Sequence, residues 1–176
     1  MILFRFHGFS LIELLVALAI AALLLTIGVP AFGNLIDRTR MDADASELLR
    51  SLRYARQEAV RTNQTITIAP LAERDWNQGW VIFIDNNHNG ELDADETILR
   101  AFEGVGRSDI RANTPLSRYV RYNALGQSQL LNGGFQAGTF RFCPHDLTQP
   151  GVVMVVNRVG RVRVSREVIG WGYCEG

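Results

Sequence analysis

The stretch FSLIELLVALAIAALLLTIGVPAF, from Phe9 to Phe32, carries a single ionisable side chain, Glu13. As a helix it would rise about 36 Å, enough to cross a bilayer core of about 30 Å. A helix that is apolar on every side must bury every side, in lipid or among other helices. A secretory signal peptide also begins with an apolar run, and Ala17-Leu18-Ala19 offers a small-x-small cleavage site. That site lies inside the run instead of after it, unlike a signal peptide's. Nor would a signal peptide account for Glu13, because a carboxylate at that depth costs roughly 2.5 to 3.5 kcal/mol. A charge so placed calls for a partner.

Beyond Pro30 the pattern changes. Met41, Ala45, Leu48, Leu52, Ala55 and Ala59 recur at alternating spacings of four and three, separated by arginines and acids. This is one apolar stripe on an amphipathic helix that ends near Asn63. Short β-branched runs follow, bounded by Gly, Pro and Asn: 65–68, 79–84, 97–102, 119–122, 139–143, 151–157 and 161–166. They predict an antiparallel sheet packed on the helix, with loops at 104–118 and 123–138. The fold class is therefore α+β, with an apolar helical segment at 9–32, its amphipathic continuation at 33–63 and a β head at 64–176. In 176 residues there is material for one domain and one extra element.

All eighteen positive side chains are arginine, and they balance eighteen carboxylates. The balance is not local: residues 73–96 hold seven acids against Arg74, whereas residues 100–176 hold ten arginines against five acids. Such polarity separates a face for cations from a face for anions.

The acidic region contains Asp85-Asn86-Asn87-His88-Asn89-Gly90-Glu91-Leu92-Asp93-Ala94-Asp95-Glu96. It satisfies the calcium-loop pattern D-x-[DN]-x-[DN]-G-x5-E, with Asp85, Asn87, Asn89, Glu91, Asp93 and Glu96 as candidate ligands. The flanking segments read as strands, however, and calcium loops of this kind sit between helices. A polar hairpin turn, with Asn and Gly at the left-handed positions, is the competing reading.

In the basic region, NRVGRVRVSRE places Arg158, Arg161, Arg163 and Arg166 near one another with Glu167 as the only local acid. A turn over 157–160 and period-two alternation send Val162 and Val164 to the core and Arg161 and Arg163 outward, about 6 to 7 Å apart. That spacing resembles adjacent phosphates along one nucleic-acid strand. Charge patterning alone also fits a solvated strand face that protects a sheet edge. Trp76, Trp80, Trp171 and Tyr173 do not interleave with these arginines and are read as packing residues. Cys143 and Cys174 are the only cysteines, either a disulfide or two buried thiols according to compartment. No Ser/His/Asp set or phosphate-cradling glycine loop can be assembled, so an enzyme is not expected.

Gly8-Phe9-Ser10-Leu11-Ile12-Glu13-Leu14-Leu15 resembles the type III signal sequence of type IV pilins and type II secretion pseudopilins. The resemblance implies a leader at 1–8, prepilin peptidase cleavage between Gly8 and Phe9, and methylation of the new amine on Phe9. Glu13 becomes the fifth mature residue, where pilins use it to pair with the terminal amine of a neighbouring subunit. Pro30 becomes the twenty-second, a usual place for a helix-kinking proline. One satisfied pair then replaces two costly buried charges. LLRSLRYARQEAVRTNQTITI, GWVIFIDNNHNGELDADETILR and GRVRV further resemble the GspH/FimT group of minor pilins and pseudopilins.

Membership of that group implies a single-pass inner-membrane precursor with its head in the periplasm, later built into a filament with other pilin subunits. An oxidising compartment in turn implies a Cys143–Cys174 disulfide. Gly160-Arg161-Val162-Arg163 resembles the GRxR motif through which FimT-type minor pilins bind DNA in natural transformation. Double-stranded DNA is then the expected partner, held by Arg161 and Arg163 with Arg158 and Arg166 as accessories. The rival roles are a minor pilin that primes assembly without touching DNA, and a type II secretion pseudopilin acting in protein export.

Overall fold

The computed structural model describes residues 10–104 and 109–174, without the side chains of 27–31 and 34. The expected processing site at Gly8 and Phe9 and the side chain of Pro30 lie outside the described residues. The chain divides into two compact units, Met1–Ile36 and Asp37–Gly176, and helix α1, Leu11–Thr62, contributes to both.

In the first unit, Ser10 caps α1: its hydroxyl oxygen accepts from the Glu13 N–H at 3.3 Å. Serine at the cap with glutamate three residues on is the capping-box pattern, so Glu13 has a local role at the positive end of the helix dipole. From Leu11 to Leu25 the large apolar side chains are exposed all round, between 52% and 79%. Such a surface needs lipid or other helices to cover it. Among the described residues no helix is long and apolar enough to cross a membrane, and the apolar stretch with described side chains stops at Thr26.

The second unit has its own core. Met41, Ala45, Leu48, Leu52, Ala55 and Ala59, the stripe predicted from spacing, are all buried. They pack on two antiparallel sheets, where a single sheet was expected. The strands are β1 Ile66–Ala72, β2 Asp75–Ile84, β3 Ile98–Glu103, β4 Asp109–Ala112, β5 Val120–Tyr122, β6 Gly138–Cys143, β7 Gly151–Val156 and β8 Val162–Glu167. They are ordered β3-β2-β1-β5 in one sheet and β4-β6-β7-β8 in the other. The strand missing from the sequence reading, β4, lies inside the expected loop 104–118. Of its four residues only Ile110 is buried, and it pairs with β6, too distant in sequence to leave a local signal. The sheets meet the helix in one cluster, in which Trp76 of β2 meets Phe140 of β6 edge-to-face at 4.9 Å. Trp80 donates its indole N–H to Ser51 of α1 at 2.9 Å and Trp76 donates to Leu116 O at 3.1 Å, so both buried indoles are satisfied, whereas the buried Tyr122 hydroxyl has no partner.

Cys143 at the end of β6 is joined to Cys174. Together with Val153 and Ile169 they form a second small core on the far face of the second sheet. Closing 31 residues stabilises by roughly 3.5 kcal/mol in the chain-entropy account, and it ties the C-terminal segment to that face.

The turn between β7 and β8 is docked onto α1. Gly160, at φ +75°, donates its N–H to Asn157 O at 2.9 Å, and the Asn157 side-chain oxygen accepts from the Arg161 N–H at 3.0 Å. From the helix, Arg56 donates to Gly126 O at 2.8 Å and to Val159 O at 3.1 Å. A Cβ on Gly160 would collide with the Gly126 carbonyl oxygen and come within 2.9 Å of Arg56 Nε. Below it, burial pushes the Tyr122 phenol above its ordinary range, opposed only by the Arg56 charge. The glycine of GRVR is thus fixed by close approach and by left-handed backbone. Gly160→Ala should lower head stability by about 2 to 4 kcal/mol, whereas Arg161→Gln stays within about 0.5 kcal/mol of the parent. Urea unfolding measures both, and a Gly160→Ala head as stable as the parent would refute the docking.

Candidate nucleic-acid interface

Register sorts the four arginines of the opening basic stretch. β7 pairs with β8 through Val152↔Arg166, Val153↔Ser165, Met154↔Val164, Val155↔Arg163 and Val156↔Val162. Val152, Met154 and Val156 face the core, so Val162, Val164 and Arg166 share the helix side and Arg161, Arg163 and Ser165 the outer face. The expectation for the two valines holds only for Val162, which packs on the core. Val164 is 42% exposed, because β8 is the edge strand and only a shallow cleft separates it from Asp42, Ala45 and Leu49 of α1. Arg166, on this side, contacts Asp42 at 2.6 Å. Both side chains are well exposed, so the pair contributes little to stability.

Arg161 and Arg163 are exposed on the opposite face and Arg158 is exposed in the turn. Among the described residues their side chains make no ion pair. The structure therefore brings Arg161 and Arg163 together, sets Arg158 at the tip and turns Arg166 away. A guanidinium without a carboxylate keeps its donors available for a planar, bidentate anion such as phosphate.

Three residues escaped the sequence reading. Arg141 of β6 lies in the row Arg111↔Arg141↔Val153↔Ser165 on the same outer face, a neighbour that only register reveals. Its guanidinium lies 4.2 Å from the centroid of the Tyr173 ring. Trp171 and Tyr173, expected to pack inside, are 67% and 62% exposed, in the short 3-10 turn that precedes Cys174. Trp76 and Trp80 are buried as expected.

The calcium-like loop connects β2 to β3, as the hairpin reading required. Its polar groups bind one another and the backbone. Asp85 is buried; its Oδ2 accepts from Thr67 Oγ1 at 2.7 Å and Gly90 N at 3.1 Å, while Oδ1 has no partner. Asn87 and Asn89 both donate to Asp93 Oδ2, at 2.7 and 2.8 Å. Glu96 accepts from the N–H groups of Asn86 and Asp93, and Glu91 accepts from Arg118 at 2.8 Å. A buried cation already braces the loop, because Arg121 donates to His88 O at 3.0 Å. His88 and Gly90 take positive φ, 63° and 76°, as a polar turn demands. Among the described residues no three His, Cys, Asp or Glu side chains converge as metal ligands.

The chain matches the family described as Type II transport protein GspH over residues 44–160, and the Prokaryotic N-terminal methylation motif over residues 3–29. No curated protein matches it. Two crystal structures of the Pseudomonas aeruginosa type IV minor pilin FimU, in different crystal forms, resemble its fold. One gives a TM-score of 0.57 at 24% identity, covering 74% of this chain and 92% of that one. The other gives 0.55 at 24% identity, covering 70% and 91%. The methylation motif implies membrane anchoring and processing by a prepilin peptidase, and the family implies assembly with other pilin subunits. A methylation motif that runs from residue 3 into a capped apolar helix, continuous with a stripe buried under two antiparallel sheets, together with the match over 44–160, makes this chain a member of the GspH family of minor pilins and pseudopilins.

Proposed function

We propose that the chain is a minor pilin whose head binds DNA without regard to sequence through Arg161 and Arg163, serving DNA uptake in natural transformation. On this reading it is cleaved after Gly8, methylated on Phe9 and held by 9–32 in the inner membrane with its head in the periplasm. It then enters a type IV pilus, where Glu13 pairs with a neighbour's terminal amine. The observation that carries the DNA-binding reading is the pair of exposed arginines on the outer face of an edge strand, free of acidic partners among the described residues while Arg166 beside them is paired. Contacts to phosphate alone give affinity without sequence preference, as the uptake of arbitrary DNA requires. Arg158 adds a contact at the turn, and Arg166 adds one by exchanging Asp42 for phosphate.

The family description supports a second reading, a type II secretion pseudopilin acting in protein export. Gel retardation of duplex DNA by the head Asp37–Gly176 separates the two. That unit contains every buried core residue of the described chain. Arg161→Gln/Arg163→Gln should abolish the shift at moderate salt and flatten the logarithmic salt slope by about 2. Equal retardation of parent and variant at low salt would remove the assigned role.

A calcium ion at Asp85–Glu96 would have to displace the hydrogen bonds that Asn87, Asn89 and Glu96 make within the loop. Calorimetry on the head should therefore show no binding heat at millimolar calcium, and EGTA should leave the thermal midpoint unchanged. A saturable heat lost in Asp85→Asn would establish a cation site instead.

A further inference from the structure

The outer face of the second sheet carries more than charge. Beside the arginines stand Trp171 and Tyr173, 67% and 62% exposed, on a turn whose next residue, Cys174, is bonded to β6. A three-residue turn that is tethered by a disulfide and leaves both of its aromatic side chains in water presents those rings to a partner. Tyr173 is further fixed by the Arg141 guanidinium at 4.2 Å, so little side-chain freedom remains to be lost on binding. By strand spacing and register, Arg141 lies about 12 Å from Arg163, and Arg163 about 7 Å from Arg161. Ring, cation and cation therefore follow one another over the length of a few nucleotides. The exposed Val155 lies opposite Arg163 and Thr139, so the path is apolar beside Arg163; the carboxylates of the same face, Asp109 and Glu167, stand at the disulfide end, Asp109 paired with Arg111. A basic track flanked by rings suits a strand whose bases are unpaired, because phosphates go to the arginines and bases stack on the aromatics. A blunt duplex, with its bases stacked inside, could use only the arginines.

We propose that Trp171 and the Arg141-backed Tyr173 form a stacking site for unpaired bases, so that the head binds single-stranded or frayed DNA in preference to blunt duplex. The proposal rests on the DNA-binding reading of Arg161 and Arg163, and the test keeps the two apart. Trp76 and Trp80 are 1% exposed, so quenching of tryptophan emission by an oligonucleotide reports on Trp171. A short oligothymidylate should quench the emission of the head, and an abasic strand of equal phosphate count should not. By fluorescence anisotropy, Trp171→Ala/Tyr173→Ala should bind oligothymidylate at least about tenfold more weakly, with blunt-duplex binding unchanged within about twofold. Trp171→Phe should recover most of the loss, which a folding defect would not allow. Arg161→Gln/Arg163→Gln should weaken both ligands together. Parental affinity for oligothymidylate in the aromatic variant would overturn the stacking site and leave the arginine reading standing. Parental affinity for both ligands in the arginine variant would overturn the reading beneath it. Self-association of the head that disappears in Trp171→Ala, without quenching by oligothymidylate, would assign the rings to a protein contact and overturn the proposal.

Discussion

The second unit depends on one burial event, the insertion of the Met41 to Ala59 stripe of α1 against both sheets. Six apolar side chains on a 3.6-residue period can be removed from water only if the strands turn one face to the helix, and this sets the orientation of every strand residue that follows. Phe140, Phe142, Val152, Met154 and Val156 point inward because the helix lies there. Arg141, Arg161 and Arg163 point outward by the same alternation. The candidate interface is thus a by-product of core packing, made usable by what is missing around it: no acid is paired with Arg161 or Arg163 among the described residues.

The helix contributes in a second way, through Arg56. Its guanidinium reaches two carbonyl oxygens, those of Gly126 and Val159, and so fixes the turn that opens β8. A backbone held by a charge-assisted hydrogen bond from a rigid helix is a more exact platform than a free hairpin. The Cys143–Cys174 bond does the same at the opposite end of the face, where it closes the small core of Val153 and Ile169. Two anchors of different chemistry therefore bracket the face: a half-buried arginine clamp at one end and a covalent link at the other.

Much of this was legible in the residues. The stripe on α1, seven of the eight strands and the hairpin between β2 and β3 follow from period, branching and turn chemistry, signals carried within a few residues. The disulfide followed from the compartment that the leader implied. What escaped was set by long-range pairing. β4 has one apolar residue to show and gains its place only by joining β6. Val164 alternates correctly yet stays wet, because no periodicity announces that a strand lies at an edge beyond the helix. Trp171 and Tyr173 were read as packing residues because they do not interleave with the arginines along the sequence, and the turn anchored by the disulfide leaves them exposed instead. Asp85 to Glu96 has the residue types of a cation loop and of a polar hairpin turn alike; in the hairpin, Asp85 and Glu96 accept from backbone N–H groups and the buried Arg121 donates to the His88 carbonyl.

The central claim is that the outer face of β8 is the surface that meets DNA. Amide hydrogen exchange of the head, with and without a saturating duplex, reads that surface without mutation. The account predicts slower exchange across Asn157 to Ser165 on adding DNA, with Asp85 to Glu96 unchanged. Protection confined to the acidic loop or to α1, or none along β8 under conditions where DNA is bound, would contradict it.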